Sequence, residues 1–273
     1  MDAFKDKVAI ITGGASGIGK AIGQRLAARG AIVILLDVNT QMLEDTVSTI
    51  VNDGGSAEAA LVDVTDKSQV KKLIEGTVIK HGRIDYLFNN AGIGVAGEVR
   101  DFSYEDWQTV IDTNLYGTVN GVFAAYPIMV KQGFGHIVNT ASLAGLIPVP
   151  GEISYTASKY GIVGLSNALR IEGAKLGVNV SVVCPGLIDT PIYLSAKMAN
   201  VDREKFMSEL PKKITSADTC ASVVLKGVER NKAIIIVTLL AKIMWILQRI
   251  SPSLIRIFWG FFLKILREAR IEK

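Results

Sequence analysis

A serine, a tyrosine and a lysine are spaced so that their side chains could act on one oxygen atom. Ser142 lies upstream of Tyr155 across a turn-rich segment, and Lys159 follows Tyr155 by four residues. On a helix, residues four apart share a face, one turn apart. A free phenol titrates near ~10, and a neighbouring ammonium favours its ionised form. The pattern predicts a phenol whose pKa is lowered by Lys159, beside a hydroxyl that binds an alcohol or carbonyl oxygen, although the same spacing also describes a solvated surface pair.

Three glycines lie between a strand-like run and a helical segment near the amino terminus. Gly13, Gly17 and Gly19 belong to the sequence TGGASGIG at residues 12–19, where the short, mainly apolar run of residues 7–12 ends. One glycine permits a tight turn, one lets backbone approach a pyrophosphate, and one lets the helix pack against its strand. The helix amino terminus then points free N–H groups at phosphates. The segment predicts a dinucleotide-binding turn.

An acid ends the second strand-like run. Asp37 follows the apolar residues 31–36, about 20 residues beyond the glycines, where dinucleotide folds bind the adenosine ribose hydroxyls. A carboxylate there repels a 2′-phosphate, and neither Ser16 nor Val38 supplies a positive charge to bind one. The sequence therefore predicts NAD as the cofactor in preference to NADP.

Strand-like and helical segments alternate along the remaining chain. The alternation predicts an α/β fold with a parallel sheet covered on both faces, and 273 residues fit one large domain. Further strands are predicted at residues 57–62, 84–88, 136–140, 178–183 and 233–237. Helices are predicted at 40–52, 67–80 and 104–131, and the helix that carries Tyr155 and Lys159 is predicted to run to about residue 176.

Composition excludes several classes of protein. An apolar content of 49% argues against disorder, and Cys184 and Cys220 indicate no disulfide framework. His81 and His136 lie far apart without a metal-binding cluster, so no metal site is predicted. The chain begins directly with a strand and no secretory segment, which favours a cytoplasmic protein.

The motifs together resemble the short-chain dehydrogenase/reductase family over residues 5–235. The features that carry the resemblance, in order, are TGGASGIG, Asp37, the NNAG at residues 89–92, Asn114, Ser142, Tyr155, Lys159, and Pro185-Gly186 with Thr190. It implies a single Rossmann-type, doubly wound sheet of seven parallel strands in a domain over residues 1–237. It also implies NAD(P)-dependent oxidation of an alcohol or reduction of a carbonyl, in a homodimer or homotetramer often paired through the helices of Asn114 and Tyr155.

The same resemblance implies roles for individual residues. Asn114, Ser142, Tyr155 and Lys159 would be catalytic, with Lys159 also binding the nicotinamide ribose and Asn114 positioning a water. The implied cofactor contacts, besides Tyr155 and Lys159, are Gly13, Ser16, Gly17, Ile18, Gly19, Asp37, Asp63, Val64, Asn90, Ala91, Gly92, Pro185, Gly186, Ile188 and Thr190.

The substrate wall is predicted to be apolar. It is assigned to Leu143, Ala144, Leu146, Ile147, Pro148, Val149, Ile153, Leu187, Ile192 and Tyr193, unless several of these belong to the core, and residues 191–213 are a predicted lid. Residues 143–154 contain no Lys or Arg, which favours a lipophilic steroid-, retinoid- or long-chain-like alcohol or ketone. The predicted direct substrate contacts are Ser142, Leu143, Val149, Tyr155, Leu187 and Tyr193. The alternatives are a 3-oxoacyl-thioester reductase using NADPH, and a dinucleotide-sensing interaction protein without turnover.

The last residues, 238–273, form a hydrophobic and basic extension. From Lys226 onward 10 Lys and Arg face 3 Asp and Glu, a net +7 that leaves −3 for the rest and disfavours nucleic-acid binding by the body. Pro252 divides the extension into halves too short to span a bilayer. In the second half Ser253, Arg256, Gly260, Lys264 and Arg267 form a basic stripe opposite Leu254, Ile255, Phe258, Trp259, Phe261, Phe262, Ile265 and Leu266. The pattern predicts helices lying on a membrane surface through residues 238–270, with docking over the active site or against a second subunit as the alternative.

Overall fold

The computed structural model describes residues 2–209 and 214–271, apart from the side chains of Ile257 and Phe258. Three parts of the sequence predictions lie outside the described residues. They are positions 210–213 of the predicted lid, the side chain of Phe258 on the predicted apolar face, and Glu272 with Lys273 at the end of the extension.

Seven strands in the described part of the chain form one parallel sheet, as predicted. The strands are β1 (Val8–Thr12), β2 (Ile32–Asp37), β3 (Ser56–Leu61), β4 (Tyr86–Asn89), β5 (Gly135–Thr140), β6 (Val178–Cys184) and β7 (Ile234–Ile236). Their order in the sheet is β7-β6-β5-β4-β1-β2-β3, so β2 lies on one side of β1 and β4 on the other. This reversal creates a crevice at the carboxyl ends of β1 and β4, where open α/β sheets bind ligands.

Helices cover both faces of the sheet, because its strands are apolar on both sides. The helices are α1 (Gly17–Ala27), α2 (Thr40–Asn52), α3 (Lys67–His81), α4 (Tyr104–Val110), α5 (Gly117–Gln132), α6 (Ile153–Gly173), α7 (Ile192–Ser195), α8 (Arg203–Ser208), α9 (Ala217–Glu229), α10 (Leu239–Ile250) and α11 (Pro252–Glu268). Along β1, Ala9 and Ile11 face the core shared with α1, α2 and α9, whereas Val8 and Ile10 face the core shared with α3, α5 and α6.

The helix predicted over 104–131 is interrupted. Between α4 and α5 the backbone makes a π-helical turn, Ile111–Tyr116, which carries Asn114. Such turns widen a helix locally and are frequent at functional sites. The sequence signal for a continuous helix is therefore correct in position but misses the change of backbone geometry at this asparagine.

The two carboxyl-terminal helices dock on the body of the protein. Met244 of α10 and Ile255 of α11 are buried with Ile162 and Val182, and Leu266 is buried with Phe206. Ile255 and Leu266 are predicted to belong to the apolar, lipid-facing side of α11. In the structure they contact other residues of the protein. Among the described residues, no helix has both the length and the apolar character needed to cross a bilayer.

Ion pairs fasten α11 to the loop after β4. The Arg267 guanidinium donates to a carboxylate oxygen of Glu98 at 2.8 and 2.9 Å, and the Arg270 guanidinium pairs with Asp101 at 2.8 and 2.9 Å. This side-chain pairing holds the pKa of Asp101 at about 2. Arg267, a member of the predicted basic stripe, thus pairs with an acid of the protein body.

Candidate active site

The glycine turn has the shape and the donors that a pyrophosphate requires. Gly13 has a φ of +65°, which side chains rarely adopt, and a Cβ on Gly19 would lie 2.1 Å from the Gly13 carbonyl oxygen. Ser16 precedes α1 without capping it through its side chain, so no side chain competes for the first N–H groups of α1. Backbone donors and the positive end of the helix dipole can therefore meet an anionic group here.

Asp37 is held at the end of β2 by backbone donors. Its carboxylate accepts hydrogen bonds from the N–H groups of Ala15 at 3.1 Å, Val38 at 2.9 Å and Asn39 at 3.1 Å. The bond from Ala15 joins the acid directly to the glycine turn. The structure therefore places Asp37 beside the predicted phosphate site, as the sequence spacing suggests.

The segment after β4 is fastened to the end of β1. The N–H groups of Asn90 and Ala91 both donate to the Thr12 hydroxyl at 2.9 Å, and the Asn90 amide donates to the Thr12 carbonyl at 3.2 Å. On the other side of the turn, a Cβ on Gly17 would lie 3.1 Å from Thr190 Cγ2. Thr190 thus lies against the glycine turn.

The other predicted cofactor residues occupy different environments. Ile188 is buried in the core beside α9, whereas Gly186 approaches the Thr238 side chain closely. Val64 is buried against Gly117, and Asp63 is exposed and accepts hydrogen bonds from Thr65. Asp63 and Val64 follow β3, at the same carboxyl edge of the sheet as the glycine turn.

Ser142, Tyr155 and Lys159 come together at the carboxyl end of β5. The hydroxyls of Tyr155 and Ser142 are hydrogen-bonded, and the Lys159 Nζ lies 5.3 Å from the centroid of the Tyr155 ring. Lys159 is only 2% exposed and donates to the Thr140 carbonyl at 2.9 Å. A phenol, a hydroxyl and an ammonium are thus available in one place.

Asn114 is built rigidly into the same site. It is 0% exposed, and its side chain accepts from the Ile93 N–H at 2.8 Å and donates to the Ile93 carbonyl at 3.0 Å. A Cβ on Gly92 would lie 3.2 Å from Asn114 Oδ1 and 3.4 Å from Lys159 Nζ. Asn114 and Lys159 therefore flank the same glycine, which connects the π-helical turn to Lys159.

The protonation of the phenol differs from the sequence expectation. Burial raises the pKa of Tyr155 well above its ordinary value, the negative charge of Glu152 adds to this, and the Ser142 hydrogen bond opposes it. Burial likewise lowers the pKa of Lys159 to about 8. The spacing of Tyr155 and Lys159 predicts a lowered phenol pKa, but in the folded chain the removal of the phenol from water raises that pKa.

The predicted substrate wall divides into core and accessible residues. Ala144, Leu146 and Ile147 are buried, so they belong to the core and not to a substrate surface. The predicted contacts Leu143, Val149, Leu187 and Tyr193 are partly exposed, and burial raises the pKa of Tyr193 to about 12. Leu143 and Val149 rest against the cluster that contains Met244 and Ile255, so α10 and α11 support this loop from behind.

Two features of the site are missed by the sequence analysis. Tyr155 packs against a small cluster containing Val95, Val110 and Ala199, whose members come from separate segments with no shared pattern. Glu152 lies near the phenol, and its position three residues before Tyr155 is a signal that could have identified it. Among the described residues, no group of His, Cys, Asp and Glu is arranged to hold a metal ion.

Comparison with known proteins decides the family. The family model described as short chain dehydrogenase matches residues 7–200. This chain is a member of the short-chain dehydrogenase family. As a member, it is an oxidoreductase that acts on CH–OH donors, and the fold and order of motifs agree with this assignment. Family membership disfavours the alternative of a dinucleotide sensor without turnover.

Relatives of this short-chain dehydrogenase include several named oxidoreductases. It is 35% identical over 258 residues to the Mycobacterium tuberculosis oxidoreductase SadH, covering 93% of this chain and 94% of that protein. It is 39% identical over 208 residues to the 3-oxoacyl-[acyl-carrier-protein] reductase FabG of Thermotoga maritima, covering 76% and 84%. A solved short-chain dehydrogenase from Burkholderia phymatum, in complex with NAD, has a TM-score of 0.86 and 29% identity, covering 93% and 96%.

Proposed function

We propose that this enzyme interconverts a lipophilic secondary alcohol and its ketone with NAD. The observation that carries the proposal is the grouping of Ser142, Tyr155 and Lys159 beside Gly92 and Asn114. This group lies at the same carboxyl edge of the sheet as the glycine turn. A proton-transferring phenol beside a dinucleotide site is suited to alcohol oxidation and carbonyl reduction.

The residues that would hold NAD fit a dinucleotide. The glycine turn and the start of α1 would bind the pyrophosphate, and Asp37 would accept hydrogen bonds from the adenosine ribose. When bound, the nicotinamide accepts or donates the hydride. The remaining assignments are Asp63 and Val64 near adenine, Asn90 near a ribose, and Ile188 with Thr190 near the carboxamide. The similar Burkholderia phymatum structure, solved with NAD, supports NAD as the cofactor.

The side chains of the catalytic group divide the proton chemistry. Tyr155 would take the hydroxyl proton during oxidation and return it during reduction, while Ser142 would hydrogen-bond the substrate oxygen. Because burial raises the pKa of Tyr155, its ionisation needs positive charge nearby. The Lys159 ammonium supplies such a charge. Asn114, fixed by Ile93, would position a water that returns protons to Lys159.

A lipophilic substrate is supported by the surface beside the catalytic group. Leu143, Val149 and Leu187 are partly exposed there, and residues 143–154 contain no Lys or Arg to bind a phosphate or carboxylate. A pocket lined mostly by apolar side chains favours an apolar ligand with few polar anchors.

The substrate class is tested by comparing two reactions. We expect oxidation of long-chain or steroid secondary alcohols with NAD⁺ to have a kcat/KM at least about tenfold above reduction of acetoacetyl thioesters with NADPH, a difference of ~1.4 kcal/mol in transition-state binding. Steady-state rates measure both reactions, because each one changes the absorbance of the reduced nicotinamide. The opposite order would reject the lipophilic-alcohol assignment.

The second candidate is a 3-oxoacyl-thioester reductase. It is favoured by the 39% identity to the Thermotoga maritima reductase, whose name specifies that reaction. Faster thioester reduction with NADPH in the same assay would select it. Asp37, which repels a 2′-phosphate, argues against this candidate.

We also propose that the protein forms a homodimer or homotetramer through α5 and α6. Large apolar side chains on these helices and the turn before them are exposed, namely Tyr116, Phe123, Tyr160 and Ile171. Exposed apolar groups on neighbouring helices are typical of subunit interfaces.

A membrane contact is proposed for α10. Its outward face carries five exposed apolar side chains at helical spacing, Leu239, Leu240, Ile243, Ile246 and Ile250. The exposed cations Lys242, Arg249 and Arg256 accompany them. An apolar helix face with cations beside it suits the surface of an anionic bilayer. The proposed contact is thus on α10, since α11 uses Ile255 and Leu266 to pack on the protein.

The membrane contact is tested by substitution, because truncation would remove Met244 and Ile255 from the core. We expect the triple variant Leu240→Gln, Ile243→Gln, Ile246→Gln to bind phosphatidylserine-containing vesicles about tenfold less tightly, since buried apolar area drives such binding. Cosedimentation measures it, and Ile79→Gln on α3, also exposed, is the matched control. Equal sedimentation of wild type and triple variant would eliminate the contact.

A further inference from the structure

An acid at the start of α6 has a side chain that contributes no hydrogen bond to the described fold. Glu152 immediately precedes the helix, and its carbonyl accepts the first helical hydrogen bond, from the Thr156 N–H at 2.7 Å. Its side chain does not cap the helix, in contrast to Asp66 and Asp202 at the starts of α3 and α8. Within the described part of the chain, the Glu152 carboxyl has neither a hydrogen bond nor an ion pair.

The Glu152 carboxyl is close enough to the Tyr155 phenol for its charge to act on it. It is surrounded by protein but keeps part of its surface accessible, as expected for a group facing a cleft. Glu152 immediately precedes the first turn of α6, and Tyr155 lies in that turn, three residues further along the chain. Its charge acts on both Tyr155 and Tyr193, raising the pKa of each, so the acid is close to two residues of the predicted substrate site.

The backbone that carries Glu152 is fixed in place. The Gly151 carbonyl accepts the Gly97 N–H at 2.9 Å, and Gly151 has a φ of +80°. A Cβ on Gly151 would lie 2.5 Å from Leu266 Cδ2, so α11 packs directly on this residue. The position from which the Glu152 side chain extends is therefore set by the loop after β4 and by the docked α11.

An unpaired acid in this position is costly to the folded protein. Burial raises the pKa of Glu152 to about 7, and no nearby cation of the described chain offsets that shift. Removing a carboxylate from water without a partner costs free energy, and such costs are found where a site is adapted to bind a ligand. A donor on the ligand would satisfy the group.

We infer that Glu152 determines substrate specificity by accepting a hydrogen bond from a second polar group of the substrate, a hydroxyl or an ammonium. The donor would belong to the part of the substrate nearest the start of α6, away from the carbon that is oxidised or reduced. The inference rests on the proposed dehydrogenase function and narrows it. The substrate is then an apolar alcohol or ketone with one hydrogen-bond donor at a distance, and not a simple hydrocarbon alcohol.

Three ring alcohols test the inference with three proteins. The probes are cyclohexanol and two analogues with a hydroxyl or an amino group on the ring carbon opposite the carbinol. The proteins are wild type, Glu152→Gln and Glu152→Leu, with Glu172→Gln, an exposed acid on the same helix, as the matched control. We expect wild type to favour both analogues over cyclohexanol by about 10- to 100-fold in kcat/KM, the range for a hydrogen bond to a charged group.

The variants separate specificity from other roles. Glu152→Leu is expected to lose the preference for both analogues, whereas Glu152→Gln keeps it for the diol and loses it for the amine. The inference is wrong if wild type prefers cyclohexanol, or if Glu152→Leu leaves the ratios unchanged. It is also wrong if Glu152→Leu slows all three substrates equally, because that result indicates proton transfer and not recognition.

A binding measurement keeps the inference independent of turnover. If wild type oxidises none of the probes, the proposed function fails for this class, and calorimetry on the NAD⁺-loaded enzyme decides the role of Glu152. Tighter binding of the analogues to wild type than to Glu152→Leu supports the inference, and equal binding overturns it. Folding is checked by the Tm, which we expect Glu152→Leu to keep or raise, because the substitution removes an unpaired acid.

Discussion

Replacing Tyr155 by phenylalanine is expected to lower kcat by about 10²- to 10⁴-fold, the range for loss of a general acid–base group. The substitution removes one oxygen atom and leaves the ring packed against Val95 and Ala199, so the fold and the glycine turn should be unchanged. NAD⁺ affinity, measured by fluorescence quenching, is expected to stay within about threefold of wild type, below the ~1.4 kcal/mol that a tenfold change represents.

Tyr160 provides the matched control for that experiment. It lies on the same helix, 41% exposed and one residue beyond Lys159. Tyr160→Phe is expected to retain wild-type kcat, because the Tyr160 side chain is exposed, whereas that of Tyr155 is packed inside the protein. If Tyr155→Phe keeps most of the activity, the phenol is not the proton-transferring group.

Replacing Asp37 by serine is expected to lower the ratio of kcat/KM for NAD⁺ to kcat/KM for NADP⁺ by about 10²-fold or more. The substitution removes a charged hydrogen-bond acceptor for the ribose, worth ~1.5–3 kcal/mol, and also the repulsion of a 2′-phosphate. Both effects act in the same direction on the ratio. Initial rates with each dinucleotide at a fixed alcohol concentration measure the change.

The control for this substitution is Asp53→Ser, which removes an exposed acid at the end of α2. It is expected to leave the ratio unchanged. Because Asp37 accepts three backbone hydrogen bonds, the Tm of the Asp37→Ser variant should also be recorded. A wild-type enzyme that prefers NADP⁺, or a ratio unaffected by Asp37→Ser, would contradict the assignment of this acid to the ribose.

The parts of the fold that the sequence predicts correctly are those determined locally. The buried strand β1 is apolar from Val8 to Ile11, and its connection to a glycine-rich turn and helix indicates a dinucleotide-binding unit before any contact is known. The docking of α11 could not be predicted in this way. It depends on the pairs Glu98–Arg267 and Asp101–Arg270, whose partners are 169 residues apart, and a basic stripe on a helix is equally consistent with lipid.

The candidate site shows the same division between local and distant determinants. The spacing of Tyr155 and Lys159 places both on one helix face, and the structure agrees. The sign of the phenol pKa shift depends instead on how much protein surrounds the ring, including Val95, Val110 and Ala199 from separate segments. Spacing alone therefore predicts which groups meet but not their protonation.

Deuterium transfer tests the central claim most directly. The alcohol that wild type oxidises fastest is prepared with deuterium on the carbinol carbon and incubated with NAD⁺, and the reduced dinucleotide is analysed by mass spectrometry. If the Tyr155 phenol assists hydride transfer, each reduced dinucleotide formed by wild type contains one deuterium, and Tyr155→Phe forms almost no reduced dinucleotide. Reduced dinucleotide without deuterium, or full transfer by Tyr155→Phe, would contradict hydride transfer assisted by this phenol.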